Sequence, residues 1–152
     1  MGVQYFVGMA ELRLGNAPDI LTIVGLGSCV AITLYDRKQK IGAMAHAMLP
    51  TSHAGEKTPR FADTAVELLL EEFSKKGIIP SQLIAKLAGG ADMFPTLAKD
   101  PSQNIGLRNA EVAKEALKTY GIRITGEDLG GDHGRSIHFH LDDGVLVVQK
   151  KI

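Results

Sequence analysis

Cys29-Val30-Ala31-Ile32-Thr33-Leu34-Tyr35-Asp36, Arg37-Lys38-Gln39-Lys40, Ile41-Gly42-Ala43-Met44-Ala45-His46-Ala47-Met48: two apolar runs, the first rich in β-branched residues, flank a polar tetrad and read as strand, turn, strand. The length of the turn decides which side chains meet. If Arg37 and Lys38 alone make it, paired residues sum to 75 and Cys29 lies directly opposite His46. A four-residue loop over 37–40 moves the pair by one diagonal, still on one face and about 7 Å apart between backbones. An odd-length loop puts the two on opposite faces.

Cys29, the single cysteine, closes the run Gly25-Leu26-Gly27-Ser28-Cys29. A thiol attacks as its thiolate, and imidazole is the side chain best matched to accept its proton near neutral pH. Cys29 and His46 therefore read as nucleophile and base, with the expectation that an imidazolium beside the sulfur lowers the thiol pKa. Gly25, Gly27 and Ser28 let the backbone turn sharply before the thiol, which would expose sulfur at a strand end and aim amides near Gly27 and Ser28 at a developing oxyanion. The bland alternatives are a small buried cysteine in an apolar strand, a hydrogen-bonded core histidine and an ordinary glycine turn.

Working outward, residues 3–14 alternate as a first strand, Gly15 to Asp19 punctuate it, and 20–24 form a second. Residues 51–59 read as a surface loop. Thr58-Pro59 then opens a helix whose stripe of Phe61, Ala65, Leu69 and Phe73 ends at Gly77. A strand at 83–88 runs into Gly89-Gly90, and after the loop from Asp92 to Gln103 a second helix starts at the Asn104 cap and stops at Gly121. Strands at 122–126, 135–141 and 145–150 follow, the last two joined by Asp142-Asp143-Gly144. Two helices among some seven strands, several in hairpin order, give an α+β fold of mixed or antiparallel sheets with helices packed outside.

At 152 residues, 45% of them hydrophobic, the chain fits one domain, residues 1–152. Lysine plus arginine equals aspartate plus glutamate at 17 each, so no positive field draws in nucleic acid or an anionic membrane. One cysteine makes no internal disulfide, and no window approaches the roughly 18 apolar residues of a membrane span. With no basic leader at Met1 to Phe6, the expected location is the cytoplasm.

Spacing removes three familiar chemistries. A dinucleotide fingerprint needs a third glycine where Val30 stands. A phosphatase loop needs arginine where Tyr35 stands, and a zinc deaminase needs two further thiolates. His138 and His140 share a strand face and, with His133, could hold a metal, but a solvated strand face is the favoured reading. Glu127-Asp128 with Gly130-Gly131-Asp132 is read as a turn rather than a cation site. Arg108 is open between a substrate contact and a solvated helix start.

Gly25-Leu26-Gly27-Ser28-Cys29-Val30, Gly42-Ala43-Met44-Ala45-His46 with Met48-Leu49-Pro50, Ala62-Asp63-Thr64-Ala65, Ala88-Gly89-Gly90-Ala91 with Met93-Phe94, Asn104-Ile105-Gly106 with Arg108-Asn109, and Glu127-Asp128 with Gly130-Gly131 occur in one order along nearly the whole chain. Together they resemble CheD, the chemoreceptor glutamine deamidase family of bacterial and archaeal chemotaxis. The resemblance implies a sheet sandwich flanked by two main helices, similar to bacterial toxin cysteine deamidases. It implies hydrolysis of receptor glutamine side chains to glutamate and ammonia, and in some members hydrolysis of glutamyl methyl esters, without metal or organic cofactor. The implied partners are the cytoplasmic helices of methyl-accepting chemotaxis proteins and the CheC phosphatase.

The family's cysteine falls on Cys29 and its histidine on His46. Its third catalytic residue is a threonine six positions before the cysteine, and Ile23 stands there while Thr22 lies one earlier. Adjacent strand residues face opposite ways. Either a bulge lets Thr22 serve, or a backbone carbonyl orients His46, or activity is reduced. Thr22 is carried as the third candidate, supported by a bulge ahead of Gly25. The rival to catalysis is an adaptor that binds receptors or CheC with Cys29 merely buried.

Overall fold

In the computed structural model of the chain, the described residues are 2–53, 55–95, 100 and 103–151. They form β1 (Gln4–Phe6), β2 (Leu12–Asn16), β3 (Ile20–Leu26), β4 (Val30–Asp36), β5 (Ile41–Ala47), α1 (Ala62–Ser74), β6 (Ile84–Gly89), α2 (Ile105–Thr119), β7 (Arg123–Leu129), β8 (Arg135–His140) and β9 (Val145–Lys150), with a 3₁₀ turn at Pro80–Gln82. One sheet has the order β1-β3-β8-β9 and the other β2-β5-β4-β6-β7. The architecture is α+β, as expected.

The second sheet is the centre of the molecule. Every residue of β4 is buried, because its two faces serve two cores. Val30, Ile32 and Leu34 pack with Ala65, Leu69 and Phe73 of α1 and Ala113 and Leu117 of α2. Ala31 and Tyr35 pack with Leu21 and Ile23 of β3 and Ile137 and Phe139 of β8. Both helices thus lie on one face of this sheet and the four-stranded sheet covers the other.

Three expectations are corrected. The single strand expected over 3–14 is two strands in different sheets: β1 runs parallel to β3, while β2 runs antiparallel to β5. The break is a tight corner in which the Glu11 carboxylate accepts from the Gly8 amide at 2.7 Å and Ala10 takes φ 61°. The cap expected at Thr58 is absent, since α1 begins at Ala62 with Phe61 as an N-cap that makes no side-chain bond. Residues 60–62 are drawn into backbone bonds with 48 and 49 instead. The helix tolerates this because a missing cap costs about 1 kcal/mol, whereas burying Leu69 and Phe73 completely contributes about 1.5–3 kcal/mol each. Finally, β7 extends to Leu129, so Glu127 and Asp128 lie in a strand; the turn is confined to Gly130 and Gly131, at φ 82° and 71°. The expected loop from Asp92 to Gln103 lies partly outside the described residues.

Candidate functional site

β4 and β5 pair with Ala31 opposite His46 and Val30 opposite Ala47, so the turn is the four-residue Arg37–Lys40 loop. Cys29 stands one residue before the ladder begins. It shares a face with Ala31 and so lies one diagonal from His46, on the side of the sheet that looks towards β3 and β8. Cys29 is half-buried and His46 is 5% exposed.

The turn entering β4 is held from several sides. Register slips between Ile23 and Leu26 where β3 meets β8, and Gly25, at φ 77°, carries the bend. The Gly27 carbonyl accepts from the Ala91 amide at 3.1 Å and the Cys29 carbonyl from the Gly90 amide at 2.9 Å. Gly89, at φ 106°, comes so close beneath this turn that a Cβ there would lie 2.3 Å from the Cys29 carbonyl oxygen. The side chain of Met93 lies against Gly27. Beside it, Ser28, Ala91, Met93, Phe94, Ile105 and Gly106 line a cavity of about 310 Å³.

His46 is fixed by the corner between β1 and β2. Its amide donates to the Glu11 carbonyl and its carbonyl accepts from the Ala10 amide, each at 2.9 Å. The ring Nδ1 lies 3.2 Å from the Val7 carbonyl. A carbonyl only accepts, so Nδ1 carries the proton and Nε2 is left with the lone pair. Burial pushes the imidazole below its ordinary pKa, against smaller upward effects of the Val7 carbonyl and the Glu11 carboxylate. Burial likewise pushes the Cys29 thiol up, against the opposing pull of its own backbone amide. The expected lowering of the thiol pKa is therefore corrected: burial shifts the thiol upward and the imidazole downward, and both shifts favour the neutral forms.

The structure does not bring Thr22 to this pair. Leu21 and Ile23 face the core between the sheets, so Thr22 points to the other face of β3. There its hydroxyl meets Gln4 Nε2 at 2.9 Å and His138 Nδ1 at 3.1 Å. The bulge ahead of Gly25 exists, but it begins after Thr22, whose pairing with His138 is regular. The second of the three options is the one realised in the geometry, because the Val7 carbonyl orients His46. Thr22 takes part only through its backbone, whose carbonyl accepts from the Val7 amide at 2.8 Å.

The remaining candidates are dispersed. His138 is engaged with Thr22, His133 with Asp132 at 3.1 Å, and among the described residues no three His, Cys, Asp or Glu side chains are grouped to hold a metal. Asp128 pairs with the buried Arg135 and Glu127 with Lys114. Asn104 caps α2 by accepting from the Leu107 amide at 3.0 Å, and Arg108 is half-buried.

One residue of the quoted motifs is given no role by the sequence reading. Asn109, fully buried, donates from Nδ2 to the Ser28 carbonyl at 2.9 Å and the Met48 carbonyl at 3.0 Å. Its signal was a polar residue on the buried face of an amphipathic helix. No helix among the described residues is long and apolar enough to cross a membrane.

A family profile described as CheD chemotactic sensory transduction matches residues 48–150. The "Probable chemoreceptor glutamine deamidase CheD" of Caldanaerobacter subterraneus subsp. tengcongensis is 47% identical over 146 residues, covering 94% of this chain and 90% of that protein. That of Archaeoglobus fulgidus is 44% identical over 150 residues, covering 98% and 94%. The "Chemoreceptor glutamine deamidase CheD" of Thermotoga maritima is 43% identical over 145 residues, covering 95% and 90%. Among solved structures, Bacillus licheniformis hypothetical protein YfiH superposes with a TM-score of 0.47 at 16% identity, over 77% of this chain and 49% of that one. The profile begins beyond Cys29 and His46, but the relatives align over nearly the whole length, and on both grounds the chain belongs to the CheD family.

Proposed function

We propose that the chain is a chemoreceptor glutamine deamidase, with Cys29 as nucleophile and His46 as its base. The observation that carries this reading is the locked imidazole: with Nδ1–H on the Val7 carbonyl, Nε2 is the acceptor on a histidine that shares a strand face with the thiol. His46 Nε2 takes the thiol proton as sulfur attacks the carboxamide carbon of a glutamine side chain. The tetrahedral oxyanion is held by amides of the Gly27 to Cys29 turn. His46 then gives its proton to the departing ammonia and deprotonates the water that cleaves the thioester, which leaves glutamate and free thiol. A neutral pair suits this sequence, because the proton moves only as the carbon–sulfur bond forms.

The substrate is the cytoplasmic helical region of a methyl-accepting chemotaxis protein, the site of action is the cytoplasm, residues 1–152 act as one domain, and CheC is a second partner. The test incubates the purified chain with a receptor cytoplasmic fragment and reads Gln-to-Glu conversion by mass spectrometry alongside ammonia release. Conversion that is lost in Cys29→Ala supports the reading. Receptor binding with no ammonia released from any receptor supplied would leave the adaptor in its place.

A further inference from the structure

We propose that Asn109 is a positioning residue for the deamidation, using one side-chain amide to hold the nucleophile's turn and the base's strand at a fixed spacing. The inference rests on the function proposed above and goes beyond it to a residue remote from the hairpin in sequence.

The β4–β5 ladder ends at the pair Val30 and Ala47. Beyond it lie the Ser28 carbonyl, immediately before the nucleophile, and the Met48 carbonyl, two residues past the base. Two carbonyls cannot bond each other, so joining the strands past the ladder's end takes two donors from outside. Asn109 supplies both from one NH2 group, reaching in from the second turn of α2. Arginine or lysine would bring a charge into a fully buried position, and glutamine is one methylene too long.

The bond to Ser28 has a chemical consequence. The Ser28 carbonyl and the Cys29 N–H belong to one planar trans peptide and point in opposite directions, so fixing the first aims the second. Of the influences on the Cys29 thiol, its own backbone N–H is the one that lowers the pKa, so the peptide that Asn109 fixes is the one that bears on the thiolate as the proton leaves. The neighbouring carbonyls of Gly27 and Cys29 are held by backbone amides. The peptide that matters for the reacting atom is the one whose orientation depends on a side chain.

The other end of the amide is a second, independent sign. Asn109 Oδ1 is buried and has no hydrogen-bond partner among the described residues. An unpaired buried acceptor is unfavourable, and a leucine, branched at the same carbon, would avoid it. What leucine lacks is the pair of donors, and those are what the position retains.

The test uses the full-length chain with Asn109→Leu and Asn109→Ser, both checked for a cooperative thermal transition and assayed well below it. In each, kcat should fall about ten- to hundred-fold, as expected for a misplaced reacting group, with KM changed less than about twofold. The pH at which iodoacetamide alkylates Cys29 should move upward, an effect that general loosening of the fold would not produce. Should Asn109→Leu fail to fold, Asn109→Ser decides. A folded variant with wild-type kcat, or one whose alkylation profile overlays the wild type, overturns the proposal. The alkylation comparison needs no receptor, so it tests the role of Asn109 even if the wild-type chain deamidates nothing, a result that would sink the parent reading alone.

Discussion

Cys29 and His46 are each pushed towards neutrality by the burial that holds them, and this sets the pH behaviour of the site. Because the imidazole titrates below its usual value of about 6.5, the base should survive as pH falls through that value, and deamidation should fade only under more acidic conditions. The thiol is shifted the other way, so iodoacetamide should react slowly at neutral pH and accelerate on the alkaline side of the ordinary thiol range. A kinetic profile with its acidic midpoint above 6.5 would contradict this arrangement. The stability linkage has the same two edges. Below 6.5 the unfolded chain binds a proton that buried His46 refuses, so stability falls as pH drops from there. Above the ordinary thiol pKa the unfolded chain releases a proton that Cys29 keeps, so stability falls as pH rises. Cys29→Ala should remove the alkaline effect and abolish deamidation, with a loss of stability of no more than about 1 kcal/mol for a small, half-buried side chain. At Thr22 the expectation is a silent kinetic result. Thr22→Val leaves kcat within about twofold of wild type and costs about 1 kcal/mol for the lost hydroxyl bonds to Gln4 and His138. A large drop in kcat at unchanged stability would return Thr22 to the site.

The corner from Phe6 to Leu12 is the element that fixes the His46 imidazole. It delivers the Val7 carbonyl to the ring and the Glu11 carbonyl to the backbone amide of His46, and the Glu11 side chain closes it by accepting from Gly8. Glutamine at position 11 keeps an acceptor for Gly8 but removes the negative charge that raises the His46 pKa. Glu11→Gln should therefore shift the acidic limb of the deamidation profile to lower pH with little change in its plateau. A shift to higher pH would show that the carboxylate acts some other way. At the end of β6, Gly89 works under a stricter constraint. It combines a φ of 106° with a contact that leaves no room for a methyl group against the Cys29 carbonyl. Gly89→Ala is expected to destabilise the fold by about 2 kcal/mol or more and to displace the nucleophile's turn, so folded variant protein recovered at low temperature should show impaired alkylation and impaired turnover together.

Across the whole molecule, the Cys29 turn and His46 lie against the packing of two sheets, and a single buried guanidinium ties those sheets together at the Gly89 end. Arg135 of β8, 3% exposed, donates to the Gly89 and Gly130 carbonyls and pairs with Asp128 of β7. Arg135→Ala removes the buried donor of the Gly130 carbonyl and the near partner of Asp128 and should cost about 3 kcal/mol, read as a lower denaturant midpoint. Asp128, which is partly exposed, should cost less when changed to asparagine, and the reverse ranking would move the anchor elsewhere. The sequence alone determined the hairpin and narrowed the pairing to turn length, since any even-length turn puts Cys29 and His46 on one face and any odd-length turn parts them; the register of β4 on β5 decided for the four-residue turn. Asn104 and Gly121 marked the ends of α2 for the same kind of reason, since capping and positive φ are local demands that a residue type answers by itself. The orienting group on His46 was not legible, because it is a backbone carbonyl and any residue at position 7 carries one. Thr22 drew attention by its side chain, yet the regular pairing of β3 with β8 turned that side chain to the opposite face. The roles of Asn109 and Arg135 stayed hidden for a related reason: Asn109 holds main-chain oxygens 61 and 81 residues away and Arg135 reaches one 46 residues away, and only the packing of α2 and β8 against the central sheet decided which oxygens those would be.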